Sequence, residues 1–193
     1  MKNHLSIHLP TWLQKFEDSI KYPLIDIEDR MSLVIKLSSL NILEQTGGPF
    51  GAAVFEIDSG LLISVGVNLV VKSGYSLAHA EMVALALSQE RLGTYDLGKS
   101  EFPQHELVTS CEPCAMCFGS IPWSGVSRVI CGARDEDARA IGFDEGPKLK
   151  DWASALESRG ITVITDVKRQ EACNVLNRYK ENGGKLYNSR QDQ

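Results

Sequence analysis

Hydrophobic side chains in the first third of the chain follow a helical spacing and then the pattern of strands. Residues 31–43 repeat apolar side chains three and four positions apart, which predicts an amphipathic helix. Gly47-Gly48-Pro49 ends that pattern, since glycine and proline interrupt helices. Two largely apolar runs, 52–57 and 61–67, then flank Asp58-Ser59-Gly60, so we predict two strands joined as a hairpin.

The rest of the chain alternates between helical and strand patterns. An almost wholly apolar helix follows His79 and extends to about Glu90, and a polar loop covers 93–103. The predicted order thereafter is strand, helix, strand, helix, helix, strand, helix, at 106–109, 114–123, 127–131, 135–140, 149–158, 161–165 and 168–181. The β-branched composition of the fifth strand is typical of a buried strand. This alternation predicts a layered α/β domain.

Punctuation by proline and glycine suggests where the domain begins and ends. Pro10 and Pro23 interrupt the first residues, which predicts an N-terminal extension over 1–29. A single domain would then span 30–182, and the 193 residues of the chain are enough for a substantial core. Gly183-Gly184 is a permissive hinge, so 183–193 is predicted to form a C-terminal arm.

Composition and charge limit the cellular location and the classes of partner that we expect for the chain. The net charge is −5 and the basic residues are scattered, which argues against a nucleic-acid partner. No apolar run approaches the ~20 residues of a membrane span, and residues 1–10 lack the apolar core of a signal peptide, so we expect no membrane partner. The five cysteines are an odd number, and three of them cluster at metal-binding spacing. This favours reduced thiols and a cytoplasmic location over a disulfide framework.

Two short motifs supply the ligands of a zinc site. His79-Ala80-Glu81 offers one imidazole, and Pro113-Cys114-Ala115-Met116-Cys117 offers two thiolates. Three protein ligands leave a fourth tetrahedral position open, where water can bind and become more acidic. A helix N-terminus would favour the thiolates, and Pro113 suits the first helical position. His79 and Glu81 can converge only if His79 stands at the entrance of its helix.

A closed structural zinc site is the alternative. Cys111 stands three residues before Cys114, so Cys111, Cys114, Cys117 and His79 would complete a Cys₃His set with no open position. Glu81 would then be an unpaired carboxylate in an apolar helix, which is costly. We therefore predict that Cys111 is a buried residue at a strand end. Cys131 and Cys173 are interpreted as packed residues.

Beyond the two motifs, the chain resembles a known family over most of its length. The residues that carry the resemblance are Gly48-Pro49-Phe50-Gly51-Ala52, Asn68, Ala78-His79-Ala80-Glu81, Thr109-Ser110-Cys111-Glu112-Pro113-Cys114-Ala115-Met116-Cys117, Trp123 and Ile141-Gly142-Phe143-Asp144-Glu145. The chain is similar to the cytidine/deoxycytidylate deaminase superfamily, and within it most similar to bacterial guanine deaminases. The H-x-E with P-C-x-x-C pattern is the signature of zinc-dependent nucleobase deaminases. The resemblance implies a three-layer α/β/α fold with a central mixed five-stranded sheet.

The resemblance also implies catalytic roles. His79, Cys114 and Cys117 match the zinc ligands. Glu81 matches the residue that moves a proton from the attacking water to a ring nitrogen. Glu145 matches a second carboxylate, which would protonate the departing amine, with Asp144 as the alternative. Without the resemblance, this acidic pair reads as a solvated loop.

Further residues match the family's substrate-binding positions. Asn68 matches a base-binding amide, Phe50 and Trp123 match aromatic residues of the base pocket, and the backbone N–H of Ala80 matches a contact to the substrate. Each of the three side chains also has an ordinary interpretation, as a turn asparagine or as core aromatics. Tyr187 in the arm would cover the base of the partner subunit in a homodimer with swapped arms. A frayed terminus is the alternative for the arm.

Three functions therefore remain open. The first is a zinc-dependent deaminase of a free nucleobase, with guanine favoured over cytosine, guanosine and aminotriazines. The second is a deaminase of tRNA adenosine or of another nucleic acid, with the same zinc chemistry. The third is a structural zinc module without catalysis.

Overall fold

A five-stranded mixed sheet forms the centre of the molecule. The computed structural model describes residues 6–21 and 23–190. Residues 1–5 and 22 of the predicted extension and 191–193 of the predicted arm lie outside the described residues. The strands in chain order are β1 (Gly51–Glu56), β2 (Leu62–Val67), β3 (His105–Cys111), β4 (Arg128–Ala133) and β5 (Thr162–Ile164). Their order in the sheet is β2-β1-β3-β4-β5. β1 pairs antiparallel with β2 and β3, whereas β3, β4 and β5 are parallel.

Helices cover both faces of the sheet, which confirms the predicted α/β/α layers. They are α1 (Thr11–Asp18), α2 (Ile27–Leu43), α3 (Val70–Ser73), α4 (Ala80–Leu92), α5 (Ala115–Ser124), α6 (Asp135–Ala140), α7 (Trp152–Glu157) and α8 (Arg169–Glu181). Helices α4, α5 and α7 share one hydrophobic cluster with the sheet. On the opposite face, α1 and α2 pack in a second cluster, and α6 and α8 pack in a third. In the described ranges, each helix is too short or too polar to cross a lipid bilayer.

Several element boundaries differ from those predicted. Helix α2 begins four residues earlier than the apolar stripe indicates, because the Asp26 carboxylate accepts a hydrogen bond from the Glu28 N–H at 2.7 Å and caps the helix. The short helix α3 was not anticipated. Strand β5 was predicted to be buried, but it is a partly exposed edge strand that pairs with β4 alone. Its β-branched residues reflect strand propensity and not burial.

The predicted N-terminal extension packs against the domain. Leu13 of α1 is buried in the cluster that it shares with α2 and the sheet. The Trp12 indole N–H donates to Thr46 Oγ1 at 3.1 Å, and the Leu24 N–H donates to the Gly60 carbonyl at 3.1 Å. These contacts join the extension to the loop after α2 and to the β1–β2 turn. The boundary at residue 29 stays a prediction.

Candidate active site

His79 lies at the entrance of α4, as the sequence requires. It is the N-cap residue, with an extended backbone (φ −72°, ψ 156°), and Glu81 follows in the first turn. Helix α4 is held close to β2 by Gly66, where a Cβ would lie 2.2 Å from the Ala80 carbonyl oxygen. Because the backbone is still turning at His79, its ring and the Glu81 carboxylate can face the same space.

The two thiols lie at the entrance of α5. Cys114 is the N-cap residue and Cys117 is the third residue of the helix. Pro113 was predicted at the first helical position, but it precedes the cap, because Cys114 itself keeps an extended backbone (φ −65°, ψ 174°). Two helix N-termini thus meet at one cluster, and their positive ends favour anionic ligands there.

The geometry of the cluster fits a tetrahedral zinc ion. His79 Nδ1 lies 3.5 Å from Cys114 Sγ and 3.6 Å from Cys117 Sγ, and the three ligand atoms all lie within 4.8 Å of one another. Tetrahedral zinc with ordinary Zn–N and Zn–S bonds places nitrogen and sulfur about 3.6 Å apart. A hydrogen bond from Cys117 lowers the pKa of the Cys114 thiol to about 4, against the effect of burial, and His79 adds to this. The donor set is therefore compatible with zinc.

Cys111 does not belong to this cluster. Its thiol donates to the Arg134 carbonyl oxygen at 3.5 Å, and it is the last residue of β3, packed in the cluster of α6 and α8. Burial raises the pKa of this thiol well above its usual value. The geometry favours a three-ligand site over the closed Cys₃His alternative.

Two buried carboxylates border the cluster. Glu81 is 6% exposed and Glu145 is 7% exposed. Burial raises the pKa of Glu81, and the Cys114 thiolate adds to that effect. Burial raises the pKa of Glu145 to about 8, again with contributions from Cys114 and Glu81. Three acidic groups in one small space therefore compete for protons, which is the arrangement that proton-transfer catalysis uses.

The loop that carries Glu145 is attached to the start of α5. The Ala115 N–H donates to the Glu145 carbonyl oxygen at 2.9 Å. Asp144 lies at the rim of the same cavity, but its carboxylate is 61% exposed and accepts a hydrogen bond from the Gly146 N–H at 2.9 Å. The interpretation of the pair as a solvated loop therefore fits Asp144 and does not fit Glu145.

Aromatic rings and one amide complete the cavity. Phe50 and Phe143 meet edge to face with ring centroids 5.0 Å apart, and Phe143 lies 5.0 Å from Tyr187. The buried Asn68 Nδ2 donates to the Tyr187 hydroxyl at 2.8 Å. Sequence reasoning assigned no pocket role to Phe143, although its place beside Asp144 and Glu145 was a usable signal. The remaining volume is about 20 Å³, enough for roughly one water molecule.

The C-terminal arm forms one wall of this cavity within its own chain. Gly183 has φ +67°, and a Cβ on Gly184 would come within 2.5 Å of the Tyr179 ring, so the glycine pair turns the chain sharply. The Asn188 side chain then donates to the Gly142 carbonyl at 2.8 Å and accepts from the Asp144 N–H at 2.9 Å. The described part of the arm therefore packs against the Glu145 loop.

Ala80 and Trp123, which were also predicted to bind the base, lie in very different environments. Ala80 is buried at the first position of α4, where a helix leaves its backbone N–H without an intrahelical partner. Trp123 was predicted to line the base pocket, but its side chain is 84% exposed and does not border this cavity. It lies eight residues after Ala115, which is about 12 Å along α5 from the first residue of the helix.

Comparison with known proteins identifies the family. The family model of the cytidine and deoxycytidylate deaminase zinc-binding region matches residues 25–133. The chain belongs to this deaminase family. The resemblance drawn from the sequence is thereby confirmed, and all the residues of the cluster lie within the matched segment.

Relatives of this deaminase include characterised guanine deaminases. A guanine deaminase of Bacillus subtilis is 38% identical over 115 residues, which cover 60% of this chain and 69% of that protein. A solved guanine deaminase from Nitrosomonas europaea is 49% identical, with a TM-score of 0.89 over 94% of this chain and 98% of that one. A further structure, in complex with 2,6-diaminopurine, is 49% identical with a TM-score of 0.91, covering 98% of this chain and all of that one.

Proposed function

We propose that this protein is a zinc-dependent hydrolytic deaminase that converts free guanine and water into xanthine and ammonia. The observation that carries the proposal is the juxtaposition of a His/Cys/Cys cluster with two buried carboxylates around one aromatic cavity. The 49% identity to a guanine deaminase over nearly the full chain supports guanine as the substrate.

The metal centre would be held by His79, Cys114 and Cys117. Their N–S distances fit tetrahedral zinc, and three ligands leave one position open. Zinc bound there supplies an acidified water as the nucleophile.

The two buried carboxylates would divide the proton transfers. Glu81, beside the cluster, takes a proton from the attacking water and delivers it to a nitrogen of the purine ring. The exocyclic amine cannot leave as an amide anion, so it needs a second proton. The buried position of Glu145 supports it as that donor, whereas the exposed carboxylate of Asp144 suits a turn-forming role.

The remaining walls of the cavity would bind the base. The Asn68 amide offers a donor and an acceptor to a purine edge, and the Ala80 N–H points from a helix N-terminus. Phe50 and Phe143 would pack on the ring faces. The present cavity of about 20 Å³ is too small for a purine, so Tyr187 has to move when the base enters and can then cover it.

We further infer a homodimer in which the arm at 183–193 can exchange between subunits. The sharp turn at Gly183-Gly184 supports this, because a change at one hinge would carry the same Tyr187 and Asn188 contacts to a second copy. The exposed Trp123 and Met116 of α5 support a face that another copy covers.

Deletion of residues 183–193 tests the proposed arm. We expect a folded protein with a strongly raised KM for guanine. Mixing it with full-length Glu81→Gln should restore part of the activity if the arm acts across subunits. A truncated protein with wild-type kinetics would exclude a role for the arm.

Ammonia release tests the function itself. The screen compares guanine with guanosine, cytosine, an aminotriazine and an adenosine-containing tRNA anticodon stem-loop. We expect turnover of guanine above all others and, given the acidic net charge, none of the RNA. Preference for the RNA would overturn the proposal in favour of the tRNA-adenosine alternative.

The five free cysteines support a cytoplasmic setting for this activity.

A further inference from the structure

Asn41, near the end of α2, makes a set of buried hydrogen bonds that the reaction itself does not use. Its side chain is fully buried. Nδ2 donates to the Gly48 carbonyl and to the Asn68 carbonyl, both at 2.8 Å. The two amide protons therefore join two loops that are 20 residues apart along the chain.

The orientation of the Asn41 amide is fixed by a second layer of hydrogen bonds. The Thr46 hydroxyl donates to Asn41 Oδ1 at 2.6 Å, and Thr46 Oγ1 accepts from the Trp12 indole at 3.1 Å. With the oxygen facing a hydroxyl donor and the nitrogen facing two carbonyls, only one orientation of the amide satisfies every partner.

Both loops carry residues that border the catalytic cavity. The Phe50 N–H donates to the Gly48 carbonyl at 2.9 Å, and the Asn68 N–H donates to the Phe50 carbonyl at 3.1 Å. The contact between the loops is so close that a Cβ on Gly47 would lie 1.8 Å from the Asn68 carbonyl oxygen. A shift of either loop therefore moves Phe50 or Asn68 relative to the cavity.

We propose that Asn41 is a positioning residue for purine recognition. It acts through Asn68 and Phe50, and this role rests on the proposed function of the cavity. The amide cancels the repulsion between two converging carbonyl oxygens and so lets the two loops approach. Removing it separates the base-binding amide from the aromatic wall while the cluster at His79, Cys114 and Cys117 stays in place.

The test is a comparison of Asn41→Ala, Thr46→Val and Ser38→Ala. Thr46→Val removes only the hydroxyl that orients the amide. Ser38→Ala is the matched control, because Ser38 is buried one turn earlier on α2 and donates only to the Ile35 carbonyl of its own helix, at 2.8 Å. We expect the KM for guanine to rise roughly tenfold in Asn41→Ala, less in Thr46→Val and not at all in Ser38→Ala, with kcat changed less than about threefold.

A double substitution separates positioning from simple loss of structure. If Asn41 acts in part through the Asn68 side chain, then Asn41→Ala should raise KM by clearly less than tenfold in an Asn68→Ala background, because only the displacement of Phe50 is left to affect binding. An unchanged KM in Asn41→Ala, or a full tenfold effect in that background, overturns the proposal. A lower kcat at constant KM, as from a smaller active fraction, overturns it as well.

Binding of 2,6-diaminopurine gives a readout without turnover. We expect its Kd, measured by calorimetry, to rise in Asn41→Ala in parallel with KM. If wild-type protein binds this base but releases no ammonia from guanine, the proposed function fails while the positioning role is still measurable. A Kd that is unaffected by Asn41→Ala excludes the positioning role on its own.

Discussion

The two ends of β3 hold buried carboxylates in opposite electrostatic situations. At its start, the fully buried Glu106 accepts from Arg30 Nη1 and from Arg128 Nε, each at 2.5 Å. Arg30 also donates to the Leu24 and Ile57 carbonyls. Glu81 and Glu145 lie beyond the other end of β3. Burial raises the pKa of both carboxyl groups, and the negative charge of the Cys114 thiolate raises both further.

This contrast shows that a stabilising network of ion pairs and the two candidate catalytic carboxylates lie at opposite ends of one strand. The guanidinium groups of Arg30 and Arg128 balance the charge on Glu106. Arg30 also connects this triad to the Leu24 carbonyl of the extension and to the Ile57 carbonyl beside the β1–β2 turn. In the proposed reaction, protons, the metal and the substrate would balance the charges on Glu81 and Glu145. A carboxylate that must exchange protons cannot hold a permanent guanidinium partner, because the partner would keep it ionised.

Glu81→Gln should have the largest effect, and on activity alone. The amide keeps the shape and removes the proton carrier, so we expect kcat to fall by roughly 10² to 10⁴ or more. Zinc content should stay at the wild-type level, because Glu81 is not one of the three ligands. Steady-state ammonia release and metal analysis on one preparation measure both. Substantial turnover by zinc-loaded Glu81→Gln would contradict its role.

Glu106→Gln should show the opposite pattern. Removing the carboxylate leaves the buried guanidinium of Arg30 without its counter-charge, which we expect to destabilise the protein by about 3–5 kcal/mol. The kcat of the folded fraction should change little, since Glu106 lies at the far end of β3. Urea unfolding and active-site-normalised kinetics measure the two effects.

Glu101→Gln is the matched control for that loss of stability. Its carboxylate is 67% exposed and lies 3.9 Å from Lys99 Nζ. Such a surface pair contributes about 0–1 kcal/mol. If Glu106→Gln destabilised the protein no more than Glu101→Gln, the buried triad would have no special structural weight.

Glu145→Gln should lower kcat by about 10², because a single general acid is removed. Binding of xanthine, the product, should weaken much less. Asp144→Asn is the control, since its side chain is exposed and its turn bond to the Gly146 N–H can persist through the amide oxygen. If Asp144→Asn were inactive and Glu145→Gln had normal activity, Asp144 and not Glu145 would be the donor of the second proton.

The metal cluster was predictable because its ligands are local in sequence and specific in chemistry. His79 at a helix entrance, and two cysteines three residues apart, need only short-range geometry to converge. The order of the five strands and of the helices other than α1 and α3 was predictable for the same reason, since it follows from local hydrophobic periodicity. Boundaries such as the start of α2 depended on a single capping residue, Asp26, that the apolar stripe does not include.

Contacts between distant segments could not be predicted in this way. The Asn41 hydrogen bonds and the packing of Phe143 against Phe50 depend on how the loops return to the sheet. Trp123 shows the limit of transferring a role by resemblance, because its place along α5 puts the ring in solvent within this chain. Sequence identifies the chemically unusual residues, whereas tertiary packing decides which ordinary residues support them.

Cys111→Ala should have the smallest effect, and it tests where the structural part of β3 ends and the reactive part begins. Cys111 is the last residue of the strand and its thiol faces the Arg134 carbonyl. We expect one zinc per chain, activity close to wild type and a loss of about 1 kcal/mol from the small cavity. Cys114→Ala, three residues later, should lose the metal, because it removes one of three protein ligands. Zinc analysis of both variants after dialysis decides between the open three-ligand site and the closed Cys₃His site. Metal loss in Cys111→Ala would favour the closed site and, with it, a structural role for the whole centre.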